Sequence, residues 1–459
     1  MKNVALHNLG CKVNSYEIEV MQQSLQENGF LIVPFDEVAD IYIVNTCTVT
    51  NVADLKSRKM LNRARQKNPD AIVVAVGCFV QMEEMDKNLS IDLAIGNNKK
   101  SELVPILQAY LEKRSAGIKT LDKKTIPDIN RLEINSETSY EEMTLRKITE
   151  HTRAFIKIQD GCNQFCSYCI IPYVRGRVRS RKKEAIISEL TELVNKGCRE
   201  AVLTGINVSS YGTDFSDENA LYDLLIKMAE IPGLNRIRLG SLEPRIVSSE
   251  FAAKIAAISK VCPHFHLSLQ SGCDTTLKRM NRQYTTAEYY EKVEILRFAY
   301  QNQFGSEYEP AITTDIIVGF PGETEAEFAE TEKFVRRIGF SGIHVFRYSK
   351  RKGTKAASMP DQISAAEKKN RSSRLLKIGK ELSKQFSGHF IEKKVTIILE
   401  EAKVIGGIKY WLGYTDKYVR VAINQNDFGQ AAEPGQLVDA MITGNLTAEI
   451  MKGKGKKVR

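Results

Sequence analysis

The chain has 459 residues, 42% hydrophobic and 27% charged, which suits two to four globular domains with real cores. Its N-terminus has no long apolar stretch and no run approaches ~18 apolar residues, so we expect a cytoplasmic protein with no leader and no membrane span. The net charge of +10 favours a polyanionic partner such as nucleic acid. Nine cysteines in a reducing compartment point to ligands, reactive thiols or core residues rather than disulfides.

Residues 1–118 alternate strand and helix patterns. Apolar runs at 4–10, 40–46 and 71–77 lead into Cys11, Cys47 and Cys78, with helical spacing at 16–26 and 54–66 between them. Repeats of about thirty residues are what parallel βαβ units need, and the carboxyl ends of such strands share one rim. A single free cysteine is ordinarily a small buried hydrophobe. Three at equivalent strand ends, two of them preceded by glycine, favour a three-thiolate cluster.

Residues 119–152 are polar and read as a linker with one short extended segment at 131–134. From 153 to 388 the alternation restarts. Strands are expected at 154–158, 201–204, 236–239, 264–269, 313–318 and 343–348. Helices are expected at 183–196, 220–229, 249–259, 286–300 and 325–338, with a long charged helix at 364–388. Six βα units without hairpin signals imply an α/β fold, an open (βα)6 partial TIM barrel whose working face lies at the strand C-termini. Residues 389–452 change to short strands at 394–399, 410–414, 418–422, 437–443 and 446–451. They predict a small antiparallel β-barrel of OB-like size, followed by a disordered basic tail at 453–459.

The loop after the first barrel strand carries Cys162, Cys166 and Cys169. Three converging thiolates suit zinc or an iron–sulfur cluster. A structural zinc wants four ligands, and no fourth Cys or His lies nearby. A four-iron cluster on three thiolates keeps one iron open for chemistry, and this is the reading we favour. A non-enzymatic RNA-binding protein whose cysteines hold zinc remains the alternative. Cys198 and Cys262 have no matching spacing and read as packing residues, while Cys273 is unassigned. Arg175, Arg177, Arg179 and Arg181 form a basic run beside the triplet, and Lys350 and Arg351 form a second after the sixth strand. Both are candidate phosphate contacts. Trp411 sits among tyrosines in the C-terminal barrel and is a candidate for base stacking or for its core.

The run from Gly161 to Arg177, on the first loop of a (βα)6 chain, resembles the radical S-adenosylmethionine superfamily. Three earlier spaced cysteines and a small terminal barrel narrow the likeness to the methylthiotransferases, over nearly the whole chain. The runs Asn8–Ser15 and Asn45–Thr50 look most like the branch acting on N6-threonylcarbamoyladenosine in tRNA. The isopentenyladenosine and ribosomal-protein branches differ there. The resemblance implies a methylthiotransferase domain, a radical barrel and a C-terminal TRAM domain. It also implies two 4Fe–4S clusters, one on Cys162, Cys166 and Cys169 that binds S-adenosylmethionine and one on Cys11, Cys47 and Cys78 that carries sulfur. The reaction would convert C–H to C–SCH3 at C2 of adenosine 37. Such an enzyme needs tRNA, a one-electron donor and a sulfur donor, and we expect it to be a monomer. Tyr168, Thr204, Gly205, Ser241, Glu243, His266, Ser268, Gln270 and Gly319 occupy the strand ends where the cofactor would be held.

Overall fold

The long strands Asn3–Asn8, Ile41–Thr46 and Ile72–Gly77 lie at the centre of a six-stranded sheet in which every neighbouring pair is parallel. Its order is Leu31–Val33, Asn3–Asn8, Ile41–Thr46, Ile72–Gly77, Leu93–Ile95 and Asp128–Asn130. The computed structural model describes residues 1–82, 89–116, 128–148, 152–428 and 432–457. Ile41–Thr46 and Ile72–Gly77 are buried throughout because both faces are covered. Val74 and Val76 join the core with helices Lys12–Glu27 and Leu103–Ser115, while Val73 and Ala75 pack with Leu61 and Ala64 of helix Asn51–Lys67. Hence the continuous apolar runs rather than alternating ones. Helix Asn51–Lys67 starts where Thr50 accepts a hydrogen bond from Ala53 N at 3.1 Å, with Asp54 in its first turn and Arg65 and Lys67 in its last.

The expected linker is not a spacer where it is described. Asp128–Asn130 adds the sixth strand to the sheet, just before the extended segment expected at 131–134. Ile134, Met143 and Leu145 are buried beyond it. Tyr16 and Gln23 of the first helix donate to the carbonyls of Met143 and Lys147. Part of the linker, 119–127 and 149–151, lies outside the described residues.

Six parallel strands follow: Ala154–Lys157, Glu200–Thr204, Arg236–Arg238, His264–Leu267, Ala311–Val318 and Gly342–Arg347. The third breaks after Arg238 and resumes as Ser241–Leu242, which pairs with the fourth. Strands one and six do not pair, so the barrel is open. Helix Lys12–Glu27 packs on the first strand and helix Ala365–Gly388 on the sixth. One continuous core runs from Val76 of the first sheet to Ile156 and Leu190 of the barrel.

The C-terminal region is a closed five-stranded barrel ordered Lys394–Ile405, Ile408–Thr415, Arg420–Asn424, Met451–Lys457 and Leu437–Asn445. This corrects two expectations. The basic tail is not disordered, since residues up to Lys457 form the closing strand, and the segment expected as the strand 446–451 is largely a turn leading into it. Trp411 is 8% exposed and packs with Ile397, Val421 and Val438, so it is a core residue and not a stacking platform. This barrel docks on the third, fourth and fifth parallel strands, where Arg236, His264 and Ala311 begin them. Arg236 donates to the carbonyls of Tyr414 at 3.0 Å and Thr396 at 2.6 Å, and Arg238 to those of Asp416 at 2.7 Å and Thr415 at 3.1 Å. Tyr418 stacks on His264 with ring centroids 5.0 Å apart. Among the described residues no helix is long and apolar enough to cross a membrane.

Candidate active site

The loop from Gly161 to Ile170 leaves the first barrel strand in a conformation few residues tolerate. Gly161 has φ +72°, and a Cβ there would lie 1.8 Å from the carbonyl oxygen of Arg177, so only glycine fits. Backbone bonds then shape the loop: Cys162 N donates to Gly176 O, Cys169 N to Cys166 O and Ser167 N to Met280 O, each at 3.0 Å. Asn281 Nδ2 donates to the carbonyl of Phe165 at 3.0 Å, where the backbone is again left-handed. Cys162, Cys166 and Cys169 lie close enough to perturb one another. Burial first, and then the Cys166 sulfur, push Cys169 up to about 12; burial likewise raises Cys162. Thiols so raised stay protonated at neutral pH, and a bound metal is what would make them thiolates. Three soft donors on one loop, with no fourth protein ligand beside them among the described residues, fit a cluster with one open iron.

The segment 279–284, which sequence reasoning passed over, supports this loop. Arg282 donates from Nη1 to Cys166 Sγ at 3.3 Å and from Nη2 to Ser268 O at 3.3 Å, and its guanidinium lies over the Tyr284 ring at 4.8 Å. Tyr284 OH donates to the same carbonyl at 2.6 Å. No motif or spacing announces these residues; they act on the loop from more than a hundred positions away.

The expected cofactor contacts fall in different places. Glu243 is buried near Cys162 and Tyr284 and accepts from Arg245 Nε at 2.9 Å, while Arg245 Nη2 donates to Gln164 Oε1 at 3.0 Å. The turn through Thr204 and Gly205 is tied to the cysteine loop by Gln159, which accepts from Asn207 N at 2.9 Å and donates to the carbonyl of Gly161 at 2.6 Å. Ser241 is exposed at the resumed third strand, and Ser268 and Gln270 lie at the C-terminal end of the fourth. Tyr168 packs edge-on to Phe320 at 6.4 Å. The N–H of Gly319 is already used, donating to Glu323 Oε2 at 2.6 Å. His266 sits one layer deeper in the barrel, beside Thr313 and Asp315.

Cys11, Cys47 and Cys78 also converge. A Cβ on Gly10 would meet Cys47 Cβ at 3.1 Å, so the first two strand ends abut. Ser57 clamps the Cys47 backbone, accepting from its N–H at 3.1 Å and donating to its carbonyl at 3.0 Å. Burial and then the Cys78 sulfur push Cys47 up to about 11, with a smaller contribution from Cys11. Asn97 Nδ2 bridges Cys78 Sγ at 3.6 Å and the carbonyl of Val174 at 2.6 Å. Cys78 also packs with Ile170, Ile171 and Val174 in a cluster that reaches Cys162 and Cys169. The two triplets are therefore joined through one apolar patch. Cys198, Cys262 and Cys273 are buried elsewhere; burial pushes the first up to about 11 and the second to about 12.

The basic run does not face solvent, which corrects its reading as a phosphate-binding strip. Arg175, Arg179 and Arg181 are at most 1% exposed. Arg175 lies in a charged knot between the two α/β units, with Nη1 3.0 Å from Glu17 Oε1 and 3.0 Å from Asp160 Oδ2, and Nη2 donating to Asn14 Oδ1 at 2.8 Å. Lys157 Nζ reaches Glu17 at 2.8 Å and Asp160 at 2.7 Å, and Lys100 also binds Glu17. Burial alone would raise Glu17, but Arg175, Lys100 and Lys157 hold it well below the usual carboxylate range. Arg179 donates to the carbonyls of Arg177 and Arg175 at 3.0 and 2.9 Å, and Arg181 pairs with Glu189 at 2.6 Å. Arg351 is buried too: it donates to Asn51 Oδ1 at 2.7 Å and to Thr48, fastening the barrel to the loop after Cys47. Of the six cations expected at RNA, Arg177 and Lys350 are exposed. Arg177 covers the Phe165 ring at 4.4 Å, and Lys350 lines a cleft of about 730 Å³ with Arg58, Arg131 and Tyr173.

Known proteins resemble the chain along nearly its whole length. Residues 3–96 match the uncharacterized protein family UPF0004 and residues 156–335 the radical SAM superfamily. The threonylcarbamoyladenosine tRNA methylthiotransferase MtaB of Bacillus subtilis is 38% identical over 426 residues, covering 92% of this chain and 90% of that protein. Its namesake in Thermotoga maritima is 34% identical over 94% of this chain and 93% of its own length. The tRNA-2-methylthio-N(6)-dimethylallyladenosine synthase of Thermoanaerobacter pseudethanolicus is 34% identical over 87% of this chain and 83% of its own. Among solved structures, the radical S-adenosylmethionine methyltransferase TsrM of Kitasatospora setae superposes with a TM-score of 0.56 at 17% identity, covering 77% of each chain, a likeness of fold. Two convergent cysteine triplets on an α/β sheet and an open parallel barrel, with relatives of this identity along nearly the whole length, make the chain a transferase of the radical S-adenosylmethionine methylthiotransferase family.

Proposed function

We propose that the protein places a methylthio group on C2 of the adenine of N6-threonylcarbamoyladenosine in tRNA. The carrying observation is the shared patch in which Cys78 packs with residues that also touch Cys162 and Cys169, because it lets two cysteine triplets address one substrate. In this reading Cys162, Cys166 and Cys169 hold a 4Fe–4S cluster whose open iron takes S-adenosylmethionine, and Cys11, Cys47 and Cys78 hold a second. Bound there, these groups supply the radical chemistry that an aromatic C2–H requires, since no side-chain base working near neutral pH removes it. The chain positions and shields. Arg282 neutralises thiolate charge at Cys166, Glu243 and Arg245 brace the cysteine loop, and Asn97 orients Cys78. Thr204, Gly205, Ser241, Ser268 and Gln270 line the cofactor's side of the rim, while Arg177 and Lys350 remain for phosphates. Electrons and sulfur come from outside donors.

Nucleoside mass spectrometry of tRNA from cells lacking the gene tests the substrate. Loss of the 2-methylthio derivative of threonylcarbamoyladenosine is expected. Loss of the isopentenyl counterpart alone would move the protein to the sister activity, a reading favoured by the dimethylallyladenosine synthase relative at 34% identity. Iron analysis tests the triplets: about eight irons per wild-type chain and about four in Cys47→Ala are expected. Equal iron in the two would leave Cys47 a core residue.

A further inference from the structure

The barrel interior is layered by the alternation of its last three strands. Phe265, Leu267, Ile312, Thr314 and Ile316 turn outward and are buried, whereas His266, Asp315, Ile317, His344 and Phe346 turn inward. Register sets Asp315 beside His344 and Ile317 beside Phe346 two residues nearer the cysteine rim. The upper layer is apolar, and Phe346 is 47% exposed to it. In the lower layer a ligand atom from each of His266, Asp315 and His344 lies within 4.8 Å of the other two. His266 Nδ1 meets Thr313 Oγ1 at 3.1 Å and its Nε2 faces Asp315 Oδ2 at 3.3 Å. Tyr418, stacked on His264, and Arg238 close the chamber below. Lys12, the residue after the first cysteine of the other triplet, is exposed and lies within electrostatic range of this layer, its charge acting on His264 and His344 and meeting that of Asp315. Among the described residues the Lys12 ammonium makes no ion pair or hydrogen bond.

We propose that this lower layer receives the threonyl carboxylate of the modified adenosine, with Lys12 as counter-ion, His266 and His344 as donors and Asp315 accepting from the substituent's own N–H or hydroxyl. The adenine then lies against Ile317 and Phe346. The two layers are separated by two residues of strand, roughly 6–7 Å, which an amino-acid-sized group on N6 can span. The proposal rests on the threonylcarbamoyladenosine reading and explains what that substrate offers that an isopentenyl group does not: a charge. A divalent cation is the rival occupant of two imidazoles and a carboxylate. Lys12, whose charge acts on His344 and on Asp315, opposes it, whereas Arg153 and Arg238 are already paired with Glu400 and Glu200.

The test uses the cluster-loaded full chain and anticodon stem-loop RNAs carrying threonylcarbamoyladenosine, its methyl ester or isopentenyladenosine. Wild type should bind the acid about tenfold tighter than the ester, the scale of one charge-assisted hydrogen bond. Lys12→Met and His344→Phe should bring that ratio near one, with iron content as the control for folding. Equal binding of acid and ester by wild type, or a ratio retained in Lys12→Met, overturns the pocket. So does stoichiometric zinc or manganese that disappears in His344→Phe. A wild type that prefers the isopentenyl RNA and leaves threonylcarbamoyladenosine unmodified overturns the substrate reading instead.

Discussion

Arg282 Nη1 lies 3.3 Å from Cys166 Sγ, a charged donor aimed at one sulfur of the barrel triplet. A hydrogen bond to a ligand sulfur stabilises the more negative, reduced state of a cluster. Arg282→Gln should therefore lower the midpoint potential of that cluster by on the order of 60 mV, the one-electron equivalent of about 1.4 kcal/mol. An EPR-monitored redox titration measures it, and an unchanged midpoint would confine Arg282 to bracing the Ser268 carbonyl.

The knot of Arg175, Glu17, Asp160, Lys157 and Lys100 is a buried seam between the two α/β units. Removing one partner of such a set strands an uncompensated charge and costs about 3–5 kcal/mol. Arg175→Met should lower the thermal midpoint accordingly, and Arg175→Lys should recover only part of it because the fork to Asn14 is lost. Stability of Arg175→Met within about 0.5 kcal/mol of wild type would contradict this role.

Acid should loosen the C-terminal barrel. Burial alone would raise Glu200, but Arg238 at 2.7 Å, with Arg153 and Arg236, holds it below its ordinary value. A carboxyl depressed on folding contributes stability that is complete above about pH 4.3 and drains away as pH falls through its folded value. Between pH 5 and 3 the wild type should lose more thermal stability than Glu200→Gln, which lacks this titration. Parallel losses would mean the docking does not depend on Glu200.

Ending the chain after Ile450 removes the strand that pairs with both Arg420–Asn424 and Leu437–Asn445. The barrel would open over its core, and Trp411, the sole tryptophan, reports on it. Its emission should shift to the red and rise in accessibility to iodide. A spectrum like that of the full chain would show that four strands suffice.

Periodicity made most of the fold legible. Helices expected at 220–229 and 325–338 end where they were placed, because strong apolar stripes and a Thr324 cap bound by Glu327 mark them. Both triplets were legible from cysteines at strand ends. What stayed hidden depends on partners distant in sequence. Arg175 and Arg181 read as phosphate contacts because nothing nearby in sequence marks their burial: Glu17 lies 158 positions before the first. The terminal strand alternates lysine with glycine, so its inward face carries no apolar signal; Gly453 and Gly455 are there because a Cβ would come within 2.9 Å of Val421 and 2.8 Å of Ile423. Lys12 lay inside a run singled out for its likeness to a family. That helix Lys12–Glu27 leans on the first barrel strand is not written in that run.

The core that runs unbroken from Val76 to Leu190 has a kinetic meaning. Apolar packing and a charged knot across the same seam fasten one unit to the other among the described residues. The gap between the triplets is then a constant of the fold, set when the chain folds and not renegotiated in each cycle. Under the proposed reaction, a group passing from one triplet to the other makes the crossing itself, as a diffusing small molecule or on a repositioned base. The slow step to look for is traffic through the chamber rather than a hinge.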